Sequence, residues 1–183
     1  KPVIGAINGA AVGVGSTMLL PMDIRIASEH AKFGFVFAKR GIVPEACSSW
    51  FLPRLVGISK ALEWSYGGNL IPSKEALKYK LISEITSNEQ LLVRAKKLAL
   101  ELTQQSSATS IALTRQMMWK MLGASHPMEA HKIDSRGVYH LGQSEDAREG
   151  VRSFLEKRPA EFIDNVSSNL PPFFPWWEKP EFK

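Results

Sequence analysis

The sequence predicts an α/β fold, with a layered core of buried strands in its first half and a wholly helical region after it. Three observations carry the prediction. Short apolar runs alternate with glycine turns and helix signals as far as residue 86. Beyond that point apolar residues recur at helical spacing. Finally, 44% of the 183 residues are hydrophobic, enough for the core of one ordinary domain.

Taken in order, Val3-Ile-Gly-Ala-Ile7 reads as a buried strand and Asn8-Gly9 as the turn after it. Gly13-Val-Gly-Ser16 opens a helix expected to reach Leu20 and to stop at Pro21. Asp23-Ile-Arg-Ile-Ala27 is the next strand; a polar turn and the run Lys32–Phe37 follow. Residues 46–67 read as one helix closed by Gly67-Gly68. Ser73–Tyr79 is a short capped helix and Leu81–Ile85 a last strand. Lys80 lies between them, and a left-handed backbone there costs about 1 kcal/mol.

The helical part begins with a capping box, Ser87 with Gln90, and an apolar face of Leu91, Ala95, Leu98 and Leu102. Residues 107–122 form a second helix, with Ile111, Met118 and Met121 or Leu122 expected inward as a methionine-rich core stripe. Ser144–Arg158 forms another, with Glu145 and Asp146 at its start and Lys157-Arg158 at its end, the order its dipole favours. Pro159 stops it. Leu170-Pro-Pro-Phe-Phe-Pro-Trp-Trp177 cannot be regular helix and reads as an arm laid on another surface, such as a second subunit. The division is thus a core over 1–86, a helical region over 87–163 and a Pro/aromatic tail over 164–183.

Composition excludes several classes. No apolar run reaches the roughly 18 residues needed to cross a bilayer. A chain opening Lys-Pro and entering a strand at once is not expected to carry a signal peptide, and without an initiator Met an upstream portion is expected. One cysteine, Cys47, rules out an internal disulfide and suits a reducing compartment. His126, His131 and His140 are spaced for no common helical face, so no metal site is expected. The net charge of +5 comes from scattered Lys and Arg without an aromatic platform, so nucleic acid is not an expected partner.

One carboxylate stands out. Before Glu63 the chain has only Asp23, Glu29 and Glu45, and Glu45 lies in the otherwise uncharged stretch Gly41–Leu52. A carboxylate buried among apolar neighbours is costly unless something uses it, and burial would fit this one for proton transfer. The alternatives are a solvated turn at Pro44-Glu45 or a cap for the next helix. Upstream, Gly13-Val14-Gly15-Ser16 joins a strand to a helix, so backbone N–H groups can face an anion or an oxyanion. It lacks both the Lys-Ser/Thr of a phosphate loop and the third glycine of a dinucleotide fingerprint.

Lys1-Pro-Val-Ile-Gly-Ala-Ile-Asn-Gly-Ala-Ala-Val-Gly-Val-Gly15 resembles the strand–loop–helix signature of the crotonase superfamily, the enoyl-CoA hydratase/isomerase family. The resemblance continues through Asp23–Ala27, Ala31–Gly34, Gly41–Pro44 and Leu52–Gly57. It resumes at Glu75-Ala76, Leu81-Ile82, Glu149-Gly150, Phe154 and Glu156–Arg158, spanning residues 1 to about 163.

The resemblance implies a crotonase-like ββα spiral core followed by a C-terminal helical trimerisation region, with homotrimers that often pair into hexamers. It implies acyl-CoA thioester substrates and no separate cofactor, coenzyme A being part of the substrate. It places one oxyanion N–H at Val14, within the loop of Gly13 and Gly15, and the second donor upstream of Lys1, with roughly a third of the usual domain. The two glutamates of the family's hydratases fall at Thr17 and Phe37, and both are replaced. Glu45 matches the single base of several isomerases in the superfamily. Phe154 and Lys157 match positions that touch coenzyme A.

The expected function is therefore movement of a double bond in an enoyl-CoA by one glutamate, with Thr17 and Phe37 beside the substrate. The alternatives are a hydratase of fatty-acid β-oxidation, with Glu45 activating a water that Thr17 orients, and a non-catalytic CoA-binding or assembly module. Such a protein is cytoplasmic if bacterial, and peroxisomal or mitochondrial if eukaryotic.

Overall fold

The computed structural model describes residues 1–181. The described residues divide into two compact units, residues 2–99 and residues 100–181.

The first unit carries two three-stranded sheets. One orders β1 (Ile4–Ile7), β3 (Ile24–Ser28) and β6 (Glu84–Thr86), all parallel. The other orders β2 (Ala10–Val12), β4 (Lys32–Gly34) and β5 (Ile71–Pro72), with β2 and β4 parallel and β5 antiparallel. The strands at 3–7 and 23–27 form as expected. The run to Phe37 leaves the sheet after Gly34, and Phe35 and Phe37 go into the core instead. The last strand covers Glu84–Thr86 rather than 81–85, because Leu81 and Ile82 are themselves core residues.

Helices cover these sheets. The helix expected to reach Leu20 is a four-residue turn, α1 (Val14–Thr17). The helix expected over 46–67 is two, α2 (Ser48–Val56) and α3 (Ile58–Gly67). Gly57 parts them, with φ 80° and ψ 154°, a backbone that residues with a Cβ rarely adopt. Gly68 then closes α3 in the left-handed region, as expected. Short α4 (Ser73–Lys78) ends before Lys80, whose φ of 63° is left-handed. Phe35, Trp64 and Tyr79 build the aromatic centre of the core, and Trp64 Nε1 donates to Glu75 Oε1 at 2.9 Å. From α5 (Asn88–Thr103), Leu91 and Ala95 pack on Ile26 of β3.

The second unit is helical. Its elements are α6 (Ala108–Met121), α7 (Pro127–Leu141) and α8 (Glu145–Glu156). Each has a side-chain N-cap: Ser107, His126 and Ser144 accept from the N–H groups of Ser110, Met128 and Ala147. The methionine stripe of α6 is not its inner face. Met118 and Leu122 are exposed, and Thr109, Ala112 and Leu113 are buried.

The tail lies on helices of its own unit. Arg136 sits 4.3 Å above the ring of Phe173, and Lys120 4.3 Å above that of Trp177. Trp176 and Trp177 meet edge to face, with centroids 4.8 Å apart and planes at 89°.

Candidate active site

The site is built around α1. Gly13 precedes it with φ 58° and ψ −124°, a turn that a side chain would strain. Ser16 ties the turn to the second sheet: its buried hydroxyl donates to the Ala11 carbonyl at 2.5 Å and accepts from the Gly34 N–H at 3.0 Å. The Gly34 carbonyl in turn accepts from the Gly13 N–H at 2.9 Å. Val14 keeps a negative φ and is 65% exposed. As the first two helical residues, Val14 and Gly15 have N–H groups with no carbonyl one turn behind them. Among the described residues neither donates a hydrogen bond. A four-residue turn has little macrodipole, so what it offers an anion is individual N–H donors.

Thr17, the last residue of α1, is fully buried, and its hydroxyl donates to Glu45 Oε1 at 2.5 Å. The Val14 carbonyl, at 3.3 Å, is its longer alternative acceptor. Glu45 itself is exposed rather than buried, as is the whole segment Gly41–Cys47, which runs in irregular backbone over the core instead of joining α2. Its side chain does not cap that helix. Its carbonyl does so in part, accepting from the Ser48 N–H at 2.9 Å and the Ser48 hydroxyl at 2.6 Å. Ala46 and Cys47 follow with φ of 49° and 57°, turning the chain sharply from Glu45 into α2. Pro44 and Ser48, on either side of Glu45, line an apolar cavity of about 350 Å³ with Ile42, Val43, Leu52 and Leu62. The carboxylate between them reaches Thr17.

Gly13, Val14, Gly15, Thr17 and Glu45 thus come together. Phe37 is 6% exposed and packs within the core. Phe154 and Lys157 belong to the second unit, where Phe154 is exposed and Lys157 closes α8 with a left-handed φ of 56°. Neither the bridging hydroxyl of Ser16, named only as part of the glycine loop, nor Ser48 was picked out from the sequence. A serine just after a glycine turn and another at a helix start were the available signals. Among the described residues no group of three or more His, Cys, Asp or Glu could hold a metal ion, and no helix is long and apolar enough to cross a membrane.

Residues 1–165 match the family model for enoyl-CoA hydratase/isomerase. The chain is 45% identical over 167 residues to an enoyl-CoA hydratase of Alternaria alternata, covering 91% of this chain and 56% of that protein. It is 35% identical over 168 residues to the 1,2-epoxyphenylacetyl-CoA isomerase of Escherichia coli, covering 88% and 61%. A crystal structure of a probable enoyl-CoA hydratase/isomerase from Mycobacterium abscessus superposes with a TM-score of 0.84 at 32% identity, over 90% of this chain and 64% of that one. The chain therefore spans only 56–64% of the length of these relatives.

Proposed function

The chain belongs to the enoyl-CoA hydratase/isomerase family, and on that premise we propose that it moves a double bond within an enoyl-CoA thioester through Glu45. The observation that carries this reading is the hydrogen bond from Thr17 to Glu45, which holds a carboxylate against the same short turn that presents the Val14 N–H. Glu45 removes a proton from the carbon next to the thioester carbonyl. The electron pair spreads onto the thioester oxygen, where the Val14 N–H stabilises it. The carboxyl group then returns the proton two carbons further along, and the double bond ends up conjugated with the carbonyl. A proton moves and coenzyme A stays on the substrate, so the step calls for no separate cofactor.

Val14 and its glycines hold the reacting carbonyl, and Phe154 and Lys157 are assigned to coenzyme A. Phe37, expected beside the substrate, is packed in the core. Self-association into trimers or hexamers fits the exposed apolar side chains Val138, Tyr139, Val151, Phe154 and Leu155. Hydration is the second reading, favoured by the name of the Alternaria relative. It requires a water to be both oriented and deprotonated, and one carboxylate serves proton return more readily than that.

The test compares 3-enoyl-CoA isomerisation with 2-enoyl-CoA hydration in the full gene product. Glu45→Gln is expected to lower isomerisation about a thousandfold while leaving coenzyme A affinity nearly intact. A fully active Glu45→Gln enzyme removes Glu45 from the mechanism. Hydration that outpaces isomerisation establishes the second reading, and no turnover of any thioester points to a non-catalytic binding module.

A further inference from the structure

We infer that Thr17 is a positioning residue that dedicates one oxygen of Glu45 to the travelling proton and holds the site to proton transfer; this rests on the reading of Glu45 as the acid/base group. Thr17 is fully buried, and as a β-branched residue on a helical turn it has few side-chain conformations open to it. Its hydroxyl has a single proton, and Glu45 Oε1 takes it at 2.5 Å. Among the described residues Thr17 is the carboxylate's one hydrogen-bond partner. A carboxylate torsion is otherwise broad and two-fold, so without Thr17 the two oxygens of this exposed side chain would interchange freely.

With Oε1 occupied, Oε2 does the chemistry. Oε2 takes the proton as the carbon–hydrogen bond next to the thioester breaks, and the electron pair moves onto the thioester oxygen. Oε1 is then the carbonyl oxygen of a neutral carboxyl group and still accepts from Thr17. The same Oε2 gives up the proton as the new carbon–hydrogen bond forms two carbons away. The hydrogen bond therefore persists through both halves of the reaction, and nothing at the base has to rearrange. The same commitment keeps Thr17 from orienting a water, because its proton is spent and its side chain does not reach solvent.

The experiment uses a 3-enoyl-CoA deuterated at the carbon that loses its proton and reads the fraction of label found at the receiving carbon, beside kcat and KM. A dedicated oxygen passes its own deuteron on; a rotating carboxyl group exchanges it with water. Thr17→Val keeps the shape and removes the hydroxyl. It is expected to lower kcat about tenfold with KM within about twofold, and to cut label transfer at least about twofold. Thr17→Ser is expected to restore both. Thr17→Ala, without the buried branching, serves if the valine variant melts early. An active wild type matched by Thr17→Val in kcat and label transfer overturns the role of Thr17 alone. A wild type without isomerase activity overturns it together with the reading of Glu45.

Discussion

Ser16 is the residue on which the loop geometry turns. Its hydroxyl bridges Ala11 of β2 and Gly34 of β4, with the oxygen buried between them. Ser16→Ala removes these two buried hydrogen bonds, at a cost of about 0.5–1.5 kcal/mol each. Thermal melting should show the loss, and kcat should fall further than KM rises because the Val14 N–H is no longer held. Glu45 was singled out by its isolation among uncharged neighbours. That it would be exposed, and held by Thr17 from 28 positions away, was not legible in the sequence. A hydrogen bond across such a separation depends on the packing of β2 and β4, which no local pattern encodes.

Among the elements, α8 offers the clearest electrostatic test. Its Glu149 takes both guanidinium nitrogens of Arg158, at 2.5 and 2.9 Å, and also the Glu161 N–H at 2.9 Å. The Arg158 fork, and then the Glu161 N–H, hold the Glu149 carboxyl far below the ordinary range, at about 2 against 4.5. A carboxylate lowered on folding adds stability above its unfolded pKa and loses it as pH falls through the folded one. Unfolding followed from pH 5 downward should therefore show stability lost between about 4.5 and about 2. Arg158→Met should flatten that slope, and an unchanged slope would assign the acid sensitivity to other groups. Elements with strong boundary signals were legible: Ser73 and Ser144 begin helices, and Gly68 ends one. β5 was not, since a two-residue strand ending in proline has no period to read. Nor was α7, whose buried residues include only Ile133 and Gly137 along a polar helix.

For the whole molecule, the α/β class and the helical second half followed from patterning, because buried strands and amphipathic helices have different periods. What patterning missed was the division of the core into two sheets. β2 is three residues long, too short to announce itself, yet its pairing with β4 carries the loop that holds Val14. The helical half was read wrongly in orientation along α6. Met118 stands 70% exposed there, and the small residues Thr109 and Ala112 go inside, since close helix packing rewards small side chains as much as greasy ones.

The paired indoles of the tail have an optical consequence. Two identical chromophores 4.8 Å apart at a fixed angle of 89° share their excited states. Far-ultraviolet circular dichroism should accordingly contain a two-signed band superimposed on the helical spectrum. Trp177→Phe should abolish that band and leave the helical minima in place. Its gradual disappearance during heating would time the release of the tail from α6 and α7 separately from the melting of the helices beneath it.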